Sequence, residues 1–379
     1  MGCSQSAPRE GTSTLVMSGT FNGAATLGQG ALKVGFAALT RGQAGKDQDR
    51  FFARSPAGSG SLVCGICDGH SLKDSRGQEH AEAAAKHLAF DIWPRLKDKF
   101  EAPNASQELT DLPPQPPAAL GQAVTDSFLA HQDICMKAYE LDVATPILDA
   151  KKKIEEELGE VLPLELPQEG GTTATAMVLD STGLLTAWVG DSRAILAAET
   201  EAEAGGNVIS VSAGGSSAAM RLRVTPLSKD HSATDEVERA RLIAHGGSTG
   251  IGPMASHVFV KDAEGGLKVT RSLGDSPFHK GDAVSATPDI SHAPVTKATR
   301  FAAVASDGIW DHLSNEQVAS IIAEAIVKAE GASPQLASAA CAAVLDHIEH
   351  GQKSGDLDKD LVDDRSIAVI VFDAAPSGA

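Results

Sequence analysis

Two runs, Thr172-Thr-Ala-Thr-Ala-Met-Val-Leu179 and Leu184-Leu-Thr-Ala-Trp-Val-Gly-Asp-Ser-Arg-Ala-Ile-Leu-Ala197, flank the turn residues Asp180-Ser-Thr-Gly183. Both runs are rich in apolar and β-branched residues, and the link between them is turn chemistry, so the stretch predicts a β-hairpin. Working outward, Leu62–Cys67 and Phe301–Ala305 are short apolar runs with the length of buried strands, and Ser366–Phe372 is another. Helical spacing appears elsewhere in blocks. Ala81, Ala84, Ala85, Leu88 and Ile92 recur at spacings of three and four, Ala118–Glu140 returns to a helical pattern, and 151–158 reads as its continuation after a break. Glu236–His245 reads as a helix stopped by Gly246 and Gly247. A further helix opens at Ser314 with Gln317 completing a capping box, and the last has Ser333 as N-cap, Pro334 in its first turn and Gly351 beyond its end. The segment Glu199–Ala219, rich in Ala, Gly and Ser, reads as a surface excursion. Strands that come as hairpins and helices that come in blocks predict an α+β fold of packed antiparallel sheets with helices outside.

The 379 residues suffice for a large core, and 42% hydrophobic with 22% charged is a globular balance. Fifty acidic against 32 basic residues leave a net charge of −18, which repels nucleic-acid phosphate and excludes that partner class. The same excess supplies oxygen ligands for hard cations such as Mg²⁺ or Mn²⁺. Five cysteines imply no disulfide framework. Cys64 and Cys67 form a lone C-x-x-C, but residues three apart on a strand point to opposite faces, so a structural role is expected for both. No run approaches the ~18 apolar residues of a membrane span, and no secretory signal is evident.

At the N-terminus, Met1-Gly-Cys-Ser-Gln-Ser6 fits the N-myristoylation pattern, with Cys3 available for palmitoylation. Residues 1–30 read as a flexible, lipidated leader and 31–375 as one catalytic domain. The expected location is the cytoplasmic face of a membrane, with the cytosol as the alternative.

Four aspartates stand where strands begin or end: Asp49 before Phe51-Phe52, Asp68 after Cys67, Asp307 after Ala305-Ser306, and Asp363 before Ile367. Gly69 and Gly308 follow two of them, allowing tight turns. Carboxylates gathered at one rim stay ionised only if cations neutralise them. Taken singly, each Asp is equally an ordinary turn residue.

In this order the motifs resemble the metal-dependent type 2C family of serine/threonine protein phosphatases, from about Leu32 to Phe372. The resemblance is carried by Lys46-Asp-Gln-Asp-Arg-Phe51, Val63-Cys-Gly-Ile-Cys-Asp-Gly-His70, Gly170-Gly-Thr-Thr-Ala174 and Val189-Gly-Asp-Ser-Arg193. Further along it rests on Leu227-Ser-Lys-Asp-His231, Val269-Thr-Arg-Ser-Leu-Gly-Asp275, Pro288-Asp289, Ala305-Ser-Asp-Gly-Ile-Trp-Asp311 and Asp363-Asp-Arg-Ser366. It implies a central sandwich of two antiparallel sheets flanked by helices on both sides, with a metal cleft at one end.

The resemblance also implies roles. Asp68 bridges two Mn²⁺ or Mg²⁺ ions with the Gly69 carbonyl in one shell, Asp307 and Asp363 ligate the other, and Asp49 acts directly or through water. A metal-bridged hydroxide then attacks phosphorus in phosphoserine or phosphothreonine without a covalent intermediate. His70 matches the position that protonates the leaving alkoxide, a task suited to imidazole, or else is a polar turn residue. Asp191 matches the position of a weaker third metal, or only orders its turn. Lys46, with Arg41 as substitute, is the candidate to grip phosphate. Gln48 replaces a common Glu and weakens one water-mediated metal contact. Phosphoprotein substrates and a monomer are expected. The competing readings are a catalytically weak phosphoprotein-binding module of the same fold and a hydrolase of small phosphate esters.

Overall fold

The computed structural model describes residues 20–27, 32–42, 47–55, 61–71, 76–99, 116–144, 170–180, 183–201, 206–212, 219–329 and 333–373. One sheet runs β1 (Thr20–Leu27), β2 (Leu32–Arg41), β16 (Arg365–Phe372), β15 (Thr299–Ala305), β8 (Arg193–Glu199), β10 (Ala219–Pro226) and β9 (Val208–Ser212). The second runs β13 (Leu273–Gly274), β5 (Gly171–Thr172), β4 (Leu62–His70), β6 (Ala174–Leu179), β7 (Gly183–Val189) and β14 (Asp289–Pro294), with β3 (Asp49–Arg54) also paired to β4. All pairings within both sheets are antiparallel. A short hairpin of β11 (Ser248–Thr249) and β12 (Val258–Phe259) stands apart.

The helices are α1 (Arg76–Leu96), α2 (Ala118–Ala144), α3 (Glu236–Ala244), α4 (Asp307–Trp310), α5 (Asn315–Lys328) and α6 (Ser333–Ser354). Strand periodicity sends alternate residues into different layers. Phe51, Cys64, Ile66, Met177, Val304 and Ile370 pack between the sheets. Phe52, Cys67, Ala176 and Val178 face the other way, onto Ala84, Leu88 and Ile92 of α1 and Phe128 of α2. On the far side, Ile195, Phe301 and Val369 meet Val318 and Ile322 of α5 and Val344 of α6. The layers are therefore α-β-β-α, as expected. Cys64 and Cys67 lie in different layers, and burial raises both thiols, Cys64 to about 12. They are packing residues.

Four expectations need correction. Thr20–Leu27 is a strand rather than leader, paired residue by residue with β2. The run Leu184–Ala197 is two strands in different sheets, because Gly190 at φ 98° turns the chain across the sandwich. Within Glu199–Ala219, Val208–Ser212 forms β9, with Val208, Ile209 and Val211 buried. α6 continues through Gly351 to Ser354, and its C-terminal glycine is Gly355 at φ 87°. The capping box at Ser314 and Gln317 is present. Residues 1–6, Lys46 and the helix continuation at 151–158 lie outside the described residues.

Candidate metal centre and active site

Carboxylates from both sheets meet at one rim. The β3–β4 register sets Asp49 directly opposite Asp68, and like charges so placed repel. In the first sheet Ala305 pairs with Ile367, so Asp307 and Asp363 leave the sheet at the same end. Asp191 sits on the Gly190–Ser192 crossing between the sheets. Ser306 ties the two halves: its hydroxyl donates to Asp49 Oδ2 at 2.7 Å and accepts from the Ser366 N–H at 3.0 Å. The Gln48 N–H donates to Asp364 Oδ2 at 2.6 Å, making a second tie.

The Gly-Thr-Thr segment fixes the backbone of Asp68. Thr173 N–H and Thr172 Oγ1 donate to the Asp68 carbonyl at 2.8 and 3.0 Å, and Asp68 N–H donates to Thr173 Oγ1 at 3.2 Å. Behind it, a Cβ on Gly69 would lie 2.0 Å from the Gly77 carbonyl oxygen. Only glycine lets the end of β4 touch the first turn of α1 this closely.

A cavity of about 580 Å³ opens at the rim, with Asp68, Asp191, Asp307 and Asp363 on its wall beside Gln48, Gly69 and His70. Asp49 is fully buried. Burial pushes Asp49 up to about 7, although hydrogen bonds with Ser306 and Asp68 pull the other way. Asp191 is pushed up to about 8 by burial and then by the charges of Asp307 and Asp230. Asp68 is held well above the usual carboxylate range by burial and by Asp49, Asp307, Asp191 and Asp363. Burial, Asp363 and Asp311 likewise raise Asp307.

This arrangement fits divalent cations. Asp49 Oδ1 and Asp307 Oδ1 are buried without a hydrogen-bond partner, a condition that is costly for a charged oxygen. A cation would relieve both the missing partners and the repulsion. Among the described residues, no three His, Cys, Asp or Glu side chains close around one point.

His70 Nε2 lies 2.7 Å from Asp275 Oδ2, and the His70 side chain is 31% exposed toward the cavity. Burial alone would lower this imidazole, but the charge and hydrogen bond of Asp275 outweigh it and hold it above its ordinary value. Asp275 and Ser306 are functional neighbours that residue-by-residue reading missed. Both stand inside quoted motifs, yet nothing in their spacing reveals what they touch.

Of the expected phosphate-gripping residues, Lys46 lies outside the described residues. Arg41 is committed elsewhere, pairing with Asp346 at 2.7 Å and Glu349 at 2.8 Å on α6. Among the described residues, Lys268 is the Lys or Arg on the cavity wall, and its charge acts to lower Asp307.

A family model described as Protein phosphatase 2C matches residues 94–347. That range starts after Asp49 and Asp68 and stops before Asp363, so it is the fold that unites these carboxylates with Asp307. The chain is 27% identical over 305 residues to "Probable protein phosphatase 2C 48" of Oryza sativa subsp. japonica, covering 79% of this chain and 75% of that protein. It is 29% identical over 165 residues to "Protein phosphatase 2C homolog 2" of Schizosaccharomyces pombe, 42% of this chain and 36% of the relative. In fold it is similar to a crystal structure of serine-threonine phosphatase 2C from Toxoplasma gondii. The TM-score is 0.60 at 18% identity, covering 94% of this chain and all of that one.

Proposed function

The chain belongs to the protein phosphatase 2C family of metal-dependent protein serine/threonine phosphatases, and we propose that its catalytic centre is the carboxylate rim around Asp68. One observation carries this reading: Asp49, Asp307, Asp191 and Asp363 converge on Asp68 and, with burial, raise its affinity for a proton, while Asp49 Oδ1 and Asp307 Oδ1 are buried without partners. Asp68 and Gly69, with Asp49 on one side and Asp307 and Asp363 on the other, would hold two Mn²⁺ or Mg²⁺ ions. Asp191 would serve a weaker third. Bound cations supply charge neutralisation of the phosphate and a lowered pKa for water.

The protein's own groups do the rest. Asp49 and the rim carboxylates orient water in line with the scissile P–O bond, and Gln48 orders solvent beside them. His70 gives its proton to the departing serine or threonine oxygen. Lys268, on the cavity wall, would meet the non-reacting phosphate oxygens. We propose a monomer as the catalytic unit, a reading for the oligomeric state in solution to test.

The deciding experiment measures phosphate release from phosphoserine and phosphothreonine peptides with Mn²⁺ and with excess chelator. Turnover is expected with Mn²⁺, to stop with chelator, and to return when the metal is restored. Full turnover in chelator would sink the metal mechanism. Faster turnover on free phosphorylated metabolites than on peptides would favour the small-ester reading instead.

We propose further that Gly2 is myristoylated and Cys3 palmitoylated, a reading supported by the motif alone. One myristoyl chain binds membranes only marginally, with an association constant of roughly 10⁴ M⁻¹. Arg9 and Glu10 are the only charged side chains in residues 1–30 and cancel, so a second acyl chain is the available reinforcement. The intact protein is expected to sediment with membranes, and Gly2→Ala to remain in the supernatant. Identical partitioning of the two forms would discard the anchor.

A further inference from the structure

We infer that Asp275 is a positioning residue for the reaction: it holds the His70 ring by Nε2 and leaves Nδ1 to serve the leaving oxygen, on a turn locked by Gln132. This rests on the reading of His70 as the acid.

The turn is built at some cost. Gly274 has φ 83°, and Asp275 itself has φ 44°, a region that non-glycine residues rarely occupy. Such backbone persists only where its surroundings determine it, and here they do. The buried side chain of Gln132, on α2, clasps the peptide of Gly274 from both sides. Its Nε2 donates to the Gly274 carbonyl at 3.0 Å and its Oε1 accepts from the Gly274 N–H at 2.8 Å. Asp275 N–H donates to the Gly170 carbonyl at 2.8 Å. The Asp275 carboxylate rests on Gly171, where an added Cβ would lie 2.3 Å from Oδ2. Ser272 Oγ donates to Oδ2 at 2.6 Å. The carboxylate is thus buried, seated and aimed at His70 by contacts from three separate segments.

An ionised carboxylate only accepts hydrogen bonds, so His70 Nε2 must carry its proton toward Asp275. Nδ1 is then the ring nitrogen available to substrate. In the chemical step the water oxygen bonds to phosphorus as the P–O bond to the leaving group breaks. The Nδ1 proton passes to that leaving oxygen, and its bonding pair stays on the ring. The neutral ring keeps Nε2–H, still facing Asp275, which remains ionised throughout. One orientation therefore serves the ring before and after transfer.

The test compares a phosphoserine peptide, whose alkoxide needs a proton, with 4-nitrophenyl phosphate, whose leaving group does not. Asp275→Asn is expected to lower kcat on the peptide by about 10–100-fold, the range for partners that orient a working side chain, with a much smaller loss on the aryl ester. Gln132→Met should show the same selectivity to a lesser degree. His70→Ala should show it most strongly, and the His70→Ala/Asp275→Asn double variant should be no worse than His70→Ala. Both turnovers come from the same enzyme sample, so their ratio does not depend on how much of a variant folds. If His70→Ala is selective but Asp275→Asn loses equally on both substrates, or if the double variant is additive, the positioning role is overturned. If His70→Ala itself is unselective, the acid reading fails and takes this inference with it.

Discussion

Asp307→Ala protein is expected to release phosphate from a phosphoserine peptide at least ~10³-fold more slowly than the unaltered chain in saturating Mn²⁺. Removing an outer partner of a metal ligand already costs about 10–100-fold, and Asp307 is placed as a ligand itself. The same loss is expected for Asp68→Ala. A second reading separates this from simple unfolding. In the metal-free protein Asp307 is half-buried, raised by desolvation and by Asp363 and Asp311, and its Oδ1 is buried without a partner. Its removal relieves repulsion. In chelator, Asp307→Ala should therefore melt no lower than the unaltered protein, and higher above neutral pH. An almost unaltered rate would remove Asp307 from the centre. A rate loss accompanied by a lower melting temperature in chelator would reassign it to structure.

Why some of the centre is legible in sequence and some is not follows from how each residue is placed. Asp68 and Asp307 each follow a short apolar run and precede glycine, so both the strand and its end can be read locally. The β3–β4 pairing then brings Asp49 opposite Asp68, a register that hydrophobic pattern alone leaves open. Asp275 and His70 lie 205 residues apart and meet through side chains, with no periodicity to announce it. Ser306 is hidden for the same reason, since its partner Asp49 is 257 residues away.

The missed strands have a different cause. Thr20–Leu27 contains Gly23, Ala24 and Ala25 and shows little alternation, so its order comes from eight residue pairings with β2 rather than from its own propensity. β9 does alternate, but it is set within Ala- and Gly-rich flanks that read as loop. The hairpin turning at Asp180–Gly183 is present, as β6 paired with β7, but reading Leu184–Ala197 as one run failed at Gly190, because a continuous β-rich run does not say which sheet each half joins. That crossing is what delivers Asp191 to the rim.

The metal-free protein is expected to lose stability as pH rises from about 6.5 to 8, and Mn²⁺ should abolish that loss. In the folded, metal-free chain Asp49 and Asp191 are pushed up to about 7 and about 8, against roughly 3.9 for an unfolded aspartate. A group raised on folding contributes stability that is fully present below its unfolded pKa and is lost as pH climbs through its folded one. Asp68 and His70 are also raised and act in the same direction. Opposing groups finish their work earlier. Glu238 and Asp289, lowered to about 2 by Arg271 and their hydrogen bonds despite burial, gain stability only at acid pH. The buried His131 and His231 and the half-buried His279, lowered by desolvation, gain it up to about pH 6.5, where unfolded histidine titrates. Above that pH the rim carboxylates dominate. Metal ligands must be deprotonated to bind, so Mn²⁺ competes with the same protons and gains affinity as they leave. The rise in melting temperature on adding Mn²⁺ should accordingly be larger at pH 8 than at pH 6. Equal increments at the two pH values, or a metal-free protein that is more stable at pH 8, would show that the rim does not hold its protons in the folded state.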